Sequence, residues 1–520
     1  MRIGYLKISL LILLLLSFHY DIVKGTSITH IKANSTYFLK NHINLRGRTV
    51  VLPENVTVVV KGGSISNGTL IGNNTVIKCG KDLIFKENID LQGTFEADTA
   101  FSAWFGIKND CRADTKGRYL SGTDNYQAFK NLFLFKNVSI SEGSYMLSGR
   151  IECQNGQVIN GNGSTLKFYH KGVCILVDGY PISDVSLNNL HIIGSKYDYN
   201  DITEYWHGVS INYAEGVRLN NIVVESCRGD GIYIGGTQAN GGDNCIPKSI
   251  TLSNVKVRSN HRQGLSITRC DHVLAEDCEF STTFGTLPYC GVDIEPNYNL
   301  KEGWFNECRN IRFVRCKFCD NDSFGLMICG RGMTSDEMQE QIQTVVVENC
   351  SFVNNGICVY GVKGLKIEDC VLQNGGILMT AHGRIQDVFI EDVSVVYDGA
   401  NNSCGFQMVL LEQECADVSL SNFRASNCGI FGVYVTRGNK KDRRGNPLPL
   451  LNGLTLSNIY VANCSNAVFV SEYVKNAVYD GIVIKDNGVD RNGVKMKSRY
   501  GNNLGFIQLD DEKSRRVIIE

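Results

Sequence analysis

One short phrase recurs four times in the middle of the chain. Each copy places a glycine before alternating apolar and outward residues: HGVSI at 207–211, DGIYI at 230–234, QGLSI at 263–267 and CGVDIE at 290–295. Alternation with a period of two predicts a half-buried β-strand. Because such strands return every few tens of residues, the pattern indicates a solenoid whose turns bury their apolar faces against neighbouring turns.

If these strands stack in register, their outward residues form a ladder with rungs about 4.8 Å apart. The ladder carries five polar residues: Asp230, Tyr233, Ser266, Asp293 and Glu295. Insertions at residues 235–247, 296–308 and 329–342 each leave from the end of a ladder strand. Loops that gather beside a rigid sheet form the wall of a groove, so we expect the active site along this ladder.

The rest of the chain divides around the solenoid. A basic start and a short apolar run predict a signal peptide in residues 1–25, with no cysteine placed for a lipid anchor. We therefore expect a secreted or periplasmic protein without a membrane span. Residues 26–103 predict a small β-rich section, 104–490 the solenoid, and 491–520 a polar C-terminal tail.

A single amphipathic helix is predicted just before the repeats. Asp124 is placed to begin it, and Gln127 follows at the spacing of a capping box. Phe129 and Leu132 fall on one face of this helix. We expect it to cap the N-terminal end of the solenoid, where apolar surface would otherwise pair with another chain.

Charge and cysteine usage narrow the class of protein further. The formal net charge is −1, so no global field attracts nucleic acid.

Many of the 20 cysteines end the second strand of a repeat, as do Cys227, Cys278, Cys316, Cys350, Cys370 and Cys464. One residue type at one phase of a repeat predicts an internal stack of buried thiols. One or two disulfides stay open for loop cysteines such as Cys245 and Cys308.

The strand–turn–strand repeats, the helix after WFG at 104–106 and the stacked Asn and Cys positions resemble the pectin-lyase-like superfamily. The resemblance covers roughly residues 100–490. It implies an all-β, right-handed parallel β-helix. Members are mostly secreted enzymes acting on polysaccharides, and some are phage tail depolymerases.

Within that superfamily the repeats are similar to those of polygalacturonase-type glycoside hydrolases. Their catalytic coils hold three Asp residues and a His. Here His207 stands in place of the first Asp, Asp230 is the one Asp kept of the following pair, and Gln263 stands at the His position. The resemblance thus supports the fold more strongly than that family's chemistry.

Asp293 and Glu295 are the strongest catalytic candidates, with Asp230 as the third. Two residues apart on a strand, Asp293 and Glu295 point to the same side with Cα atoms about 6.7 Å apart. This separation slightly favours an inverting glycosidase. Two carboxyls this close do not both ionise readily, so one is expected to keep a proton near neutral pH, as a general acid must.

Further residues around the ladder are predicted to bind substrate: His207, Tyr233, His261, Arg262, Gln263, Arg269 and Arg331. The arginines suit a carboxylate or sulfate on the substrate. In the alternative interpretation, Arg262 and Arg331 form ordinary surface ion pairs with Asp293 and Glu295.

These residues leave three functions open. The first is a glycoside hydrolase that needs no cofactor and acts on a polysaccharide or oligosaccharide. The second is a polysaccharide lyase or uronate epimerase, in which Ca²⁺ or an arginine neutralises the substrate carboxylate. Asp230, Asp293 and Glu295 would then hold the ion, and Arg262 or His261 would serve as base. The third is a non-catalytic glycan-binding solenoid, for which exposed aromatic residues along the groove are expected.

Overall fold

The computed structural model describes residues 22–23, 28, 31–201, 203–236, 246–299, 301, 304–330, 341–399, 401–411, 413–438, 450–471, 474–485 and 514–519. From residue 137 to residue 485 the chain winds into a parallel β-helix. Successive coils stack their strands into three parallel sheets, named here sheet 1, sheet 2 and sheet 3 in the order in which a coil visits them. The signal-peptide prediction falls outside the described residues.

The sheets are built from short strands, and a few long strands bend from one sheet into the next. Sheet 1 contains Ile151–Glu152, Ile175–Ser183, Val209–Glu215, Ile232–Gly235, Leu265–Ile267, Val292–Ile294, Leu326–Cys329, Ile357–Glu368, Ile377–Ala381, Phe406–Leu410, Phe431–Arg437 and Asn466–Val470. Sheet 2 contains Ala100–Phe101, Asn137–Ser139, Val158–Phe168, Ser186–Ile193, Arg218–Glu225, Lys248–Ser253, Cys270–Glu276, Cys308–Val314, Ile342–Glu348, Ile385–Glu391, Cys415–Ser421, Leu451–Ser457, Val474–Lys485 and Ser514–Ile519. Sheet 3 contains Ser144–Leu147, Lys256–Arg258, Glu279–Ser281, Lys317–Cys319, Ser351–Val353, Val371–Gln373, Ser394–Val396, Arg424–Ser426 and Tyr460–Ala462.

Inward residues of equivalent strands form continuous apolar columns. Ile211, Ile234, Ile267 and Ile294 are partners in register on sheet 1, and each is 0% exposed. Burying one such side chain contributes about 1.5–3 kcal/mol, and the column repeats this contribution at every coil. The alternation seen in the sequence therefore determines which face of each strand is core.

Stacked asparagines form the turns between sheets 2 and 3. Asn189, Asn221 and Asn254 adopt left-handed φ angles of 56°, 55° and 52°. Asparagine tolerates this conformation better than most residues. Asn221 donates its amide to Asn189 at 2.7 Å and Asn254 donates to Asn221 at 2.9 Å, so the turns are also joined from coil to coil.

The described cysteines are free thiols, and all of them except Cys79 are buried. The Cys316 backbone N–H donates to the Cys350 sulfur at 3.3 Å, as expected for a stack of thiols. Cys308 is also a free thiol and is the register partner of Cys270. The stack is thus confirmed for the described cysteines, whereas Cys245 lies outside them.

A smaller parallel β-section precedes the helix of coils. Its strands are Ile22–Val23, Thr36–Leu39, His42–Asn44, Thr49–Val51, Thr57–Val60, Ser64–Ser66, Gly68–Lys78 and Ile89–Glu96. A 3-10 helix, Ser102–Phe105, leads from it into the larger domain. Two antiparallel pairs complete the strands: Arg112–Ala113 with Tyr119–Ser121, and Tyr298–Asn299 with Trp304–Phe305.

The α-helix spans Tyr126–Leu132 and buries Phe129 and Leu132, as the sequence predicts. The predicted capping box is wrong. Asn125 is the N-cap and makes no side-chain cap hydrogen bond, while Gln127 donates to Asp90 instead of reaching back. Since the helix contacts both Ile89–Glu96 and Ile151–Glu152, it lies between the two β-sections. Its role as an end cap stays a prediction.

The C-terminal segment contains one element that the sequence did not indicate. Ser514–Ile519 is a strand that pairs in parallel with Val474–Lys485 and so adds to the end of sheet 2. Among the described residues, no helix is long and apolar enough to cross a membrane.

Candidate active site

The four repeated phrases place their polar residues in two neighbouring columns on sheet 1. Ser210, Tyr233, Ser266 and Asp293 are register partners, which confirms the predicted ladder for Tyr233, Ser266 and Asp293 but not for Asp230. The residues just before the four glycines form the second column. The glycine N–H of one coil donates to the carbonyl of the residue before the glycine in the next coil, as Gly208 does to Asp230. That second column consists of His207, Asp230, Gln263 and Cys290.

Asp293 lies at the centre of the cluster and is 0% exposed. One carboxyl oxygen accepts a hydrogen bond of 2.5 Å from the Gln263 amide. The other oxygen is buried and has no hydrogen-bond partner in the described structure. Burial is the main cause that raises the pKa of Asp293 well above its ordinary value, and the nearby Glu295 carboxyl raises it further. Burial therefore favours the protonated form of the Asp293 carboxyl.

Asp230 is likewise 0% exposed, and it is paired with a cation. Arg262 donates to its two carboxyl oxygens at 3.3 and 3.4 Å. Burial raises the pKa of Asp230 to about 7, although the charge of Arg262 acts in the opposite direction. Asp230 is thus poised between its protonated and ionised forms near neutral pH.

Arg262 and Gln263 connect the two buried acids. The same Arg262 nitrogen that contacts Asp230 also donates to the Gln263 side-chain oxygen at 3.1 Å. That bond orients the Gln263 amide nitrogen toward Asp293. Because Gln263 is 0% exposed, its amide is fixed between the guanidinium and the carboxyl. Gln263 therefore supports an acid, whereas the sequence predicted a substrate contact.

Glu295 follows Asp293 on the same face of the coil. Its backbone N–H donates to the Ile267 carbonyl at 3.0 Å, so the parallel pairing continues one residue beyond the strand Val292–Ile294. Its side chain is only partly buried, unlike that of Asp293. Glu295 is therefore the carboxyl of the cluster nearest to bulk water.

His207 and Tyr233 form the flank of the cluster next to Asp230. Their rings stack with centroids 4.8 Å apart and planes 11° apart. Burial, followed by the charge of Arg262, lowers the pKa of His207 to about 3, so the ring is neutral. Its Nδ1 accepts a hydrogen bond from the Asp230 N–H at 3.2 Å and forms no ion pair with the Asp230 carboxyl. The Tyr233 hydroxyl is 2.8 Å from the Thr268 hydroxyl.

The remaining predicted substrate residues are His261, Arg269 and Arg331. His261 lies partly exposed near Arg228 and Lys196, whose charges, after burial, lower its pKa to about 4. Arg269 is 3% exposed at the end of its strand and is closed off from solvent. Arg331 lies outside the described residues.

Two expectations from the sequence need correction. We expected Asp293 and Asp230 on an open outer stripe, yet both are removed from solvent. Outward alternation identifies the face of a sheet but not what covers that face. The surface ion-pair interpretation is also wrong for Arg262, because its carboxylate partners are Asp230 and, at 3.7 Å, Glu204.

Sequence reasoning missed Thr268, although a signal was available. Thr268 lies two residues beyond Ser266, so alternation places it on the same outward face as Ser266. It occupies the position in its coil that Glu295 occupies in the next coil. Among the described residues, no group of three His, Cys, Asp or Glu side chains is arranged to hold a metal ion.

Comparisons with known proteins agree with this architecture. The family model described as "Right handed beta helix region" matches residues 240–386. The pre-mature gene product 12 of bacteriophage phi29 superposes with a TM-score of 0.57 at 13% identity, over 74% of this chain and 52% of that one. The chain folds as a right-handed parallel β-helix.

Another solved β-helix of this kind is the A-module of the mannuronan C-5 epimerase AlgE6 from Azotobacter vinelandii. It matches this β-helix with a TM-score of 0.51 at 13% identity, over 74% of this chain and 98% of that module. Identity at this level shows the shared fold alone.

Two curated relatives come from Bacillus subtilis (strain 168). The SPbeta prophage-derived uncharacterized protein YorA is 26% identical over 151 residues, which are 26% of this chain and 26% of YorA. The uncharacterized protein YclG is 32% identical over 152 residues, which are 27% of this chain and 26% of YclG. The matched part of the β-helix thus spans about a quarter of the length of these relatives.

Proposed function

We propose that this β-helix is a carbohydrate-active hydrolase that cleaves glycosidic bonds of a polysaccharide or oligosaccharide, with Asp293 as general acid. The observation that carries the proposal is the environment of Asp293. It is a fully buried carboxyl with one oxygen fixed by Gln263, the other oxygen without a hydrogen bond, and a second carboxyl two residues away. Burial of this kind favours the protonated form that a general acid requires.

In this mechanism two carboxyls have opposite tasks. Asp293 gives its proton to the glycosidic oxygen as the bond to the sugar carbon breaks, so the leaving sugar departs as a neutral alcohol. Glu295, which is only partly buried, accepts a proton from the water that attacks the sugar carbon. The separation expected for neighbouring outward residues favours this inverting course over a covalent intermediate.

Asp230 and Arg262 act on Asp293 through Gln263. The guanidinium holds the Gln263 oxygen, and the Gln263 amide nitrogen holds one oxygen of Asp293. In the proposed mechanism the second Asp293 oxygen, which has no hydrogen-bond partner, carries the proton that is given to the substrate. Asp230 keeps Arg262 in place and partly neutralises its charge.

We prefer hydrolysis to lyase or epimerase chemistry because of the position of Arg262. Both alternatives require a cation to neutralise the substrate carboxylate. Arg262 is a cation in contact with the buried acid Asp230, and its guanidinium also lies 3.7 Å from Glu204. The epimerase AlgE6 shares the fold. Analysis of the products distinguishes hydrolysis from lyase and epimerase activity.

The test is incubation of the full chain with a panel of neutral and acidic glycans. New reducing ends without the absorbance of unsaturated uronates are expected. Asp293→Asn and Glu295→Gln should each lower turnover by about 10²–10⁴-fold, because they remove the general acid and the general base. The exposed turn residue Asp369 provides the control variant Asp369→Asn, which should retain full activity.

The outcomes separate the three functions. Unsaturated products identify a lyase, and binding without any product identifies a glycan-binding protein. Full activity of a folded Asp293→Asn protein, checked by its unfolding temperature, removes Asp293 from the mechanism.

A further inference from the structure

The column that contains Asp293 continues toward the C-terminal end of sheet 1. Beyond Asp293 its register partners are Met327, Cys358, Leu378, Gln407, Tyr434 and Phe469. The last four of these residues are all partly exposed, and we call them the apolar strip: Leu378, Gln407, Tyr434 and Phe469. The strip therefore lies on the same face of the same sheet as the buried acids.

The aromatic end of the strip is a packed platform. The rings of Tyr434 and Phe469 have centroids 5.4 Å apart, and Tyr434 also stacks on Phe431 at 4.5 Å with planes 12° apart. Because Phe431 is buried beneath them, the two outer rings are held in place while part of each stays open to solvent.

A cavity of ≈ 290 Å³ adjoins the other end of the strip. Leu378 and Gln407 line it together with the turn residues Asn402 and Ser403. In the described part of the chain, no hydrogen bond engages the side-chain amides of Gln407 and Asn402. The size is at the lower end of that of ligand pockets, and the lining combines an apolar wall with hydrogen-bonding groups.

The four side chains of the strip carry no formal charge. The second outward row of the same strands contributes Thr380, Val409 and Thr436, which are also neutral. These neutral side chains supply no cation for a carboxylate or sulfate, whereas aromatic faces attract the slightly positive C–H face of a sugar ring. Amides next to the rings are suited to sugar hydroxyls.

We propose that the apolar strip binds neutral pyranose rings of the same glycan whose glycosidic bond is cleaved at Asp293. This proposal rests on the proposed function and defines its substrate class as uncharged and extended. Tyr434 is five strands from Asp293, a distance of about 24 Å along the stack. A short oligosaccharide does not span that distance, so the strip favours long chains.

Affinity electrophoresis tests the strip without any need for turnover. The protein carries Asp293→Asn so that it does not digest the glycan, and the gels contain hydroxyethylcellulose, dextran or laminarin, with polygalacturonate and alginate as acidic counterparts. We expect at least one neutral glycan to retard the protein and the acidic glycans to leave it unretarded. The double change Tyr434→Ala and Phe469→Ala should weaken the retardation at least about tenfold.

Two further variants distinguish lost binding from lost folding. Phe389→Ala removes an exposed aromatic residue from sheet 2, away from the strip, and should bind as the parent does. Gln407→Glu places a charge in the strip at a partly exposed position and should also weaken binding. Unfolding temperatures of all variants identify any that do not fold.

Binding to acidic glycans alone, absence of retardation by every neutral glycan, or unchanged binding of the folded strip variants would overturn the proposal. If the strip binds neutral glycan while the wild-type protein hydrolyses none, the hydrolase proposal fails and the strip remains. If hydrolysis occurs but the strip variants bind normally, only the strip proposal fails.

Discussion

The buried Asp230 carboxyl provides a quantitative test of the site without knowledge of the substrate. Burial raises the pKa of Asp230 from 3.8 to about 7. Between these two values the folded protein holds a proton that the unfolded chain has released. The free energy of unfolding therefore falls as pH rises through this window. A difference of about 3 pH units at about 1.36 kcal/mol each gives a loss of about 4 kcal/mol.

The perturbation is Asp230→Asn, which retains the size of the side chain and removes its titration. For a chain of 520 residues that unfolds in one step, about 4 kcal/mol corresponds to an unfolding temperature about 4 °C lower at pH 8 than at pH 4. Wild type should show this extra fall and Asp230→Asn should not, in scanning fluorimetry or calorimetry at matched ionic strength. Asp369→Asn, a change at an exposed turn, should follow wild type.

The comparison of pH dependences isolates Asp230, because other titrating groups are common to the two proteins. Loss of the Asp230–Arg262 contact shifts the unfolding temperature of the variant at every pH, but it does not produce the fall between pH 4 and pH 8. If the curves of wild type and Asp230→Asn run parallel from pH 4 to pH 8, burial does not raise this pKa and the description of the cluster is wrong.

Two further predictions concern single buried groups. Gln263→Met removes the amide that stabilises ionised Asp293, so the pKa of Asp293 should rise. The alkaline limb of the pH profile of kcat/KM should then move up by about 1–2 pH units. An unchanged pH profile would show that Gln263 does not affect the pKa of Asp293. Lys196→Met leaves three backbone carbonyls without their shared ammonium donor and should lower the free energy of unfolding by about 3 kcal/mol in urea titration. The control Lys366→Met, at a solvent-accessible side chain, should lower the free energy of unfolding far less. Equal losses in the two variants would show that the three carbonyl contacts of Lys196 do not stabilise the fold.

Much of the fold was predictable because a solenoid repeats one local rule. Apolar residues at every second position, glycine before most strands of sheet 1 and asparagine at many left-handed turns are all properties of short segments. The register of Tyr233, Ser266 and Asp293 follows once equivalent segments are aligned. The capping-box prediction failed because it considered only neighbouring residues, whereas Gln127 donates to Asp90 in a different section of the chain.

The candidate site was only partly predictable. Alternation identified the shared face of Asp293 and Glu295. It placed Asp230 on the same ladder, whereas the structure places Asp230 in the neighbouring column. It did not indicate that Arg262 would bind Asp230, or that His261 would lie beside Lys196. Pairings between side chains of adjacent coils depend on rotamers and on cover by neighbouring groups, neither of which has a sequence period.

The amino-acid sequence by itself determined the coil, its inward columns and the stripe on which the acids lie, because these depend on spacing along the chain. Only the tertiary structure decided the chemistry of those acids. A carboxyl keeps or releases its proton according to the water and charges around it, and for Asp293 these are set by groups from other coils and by its complete burial.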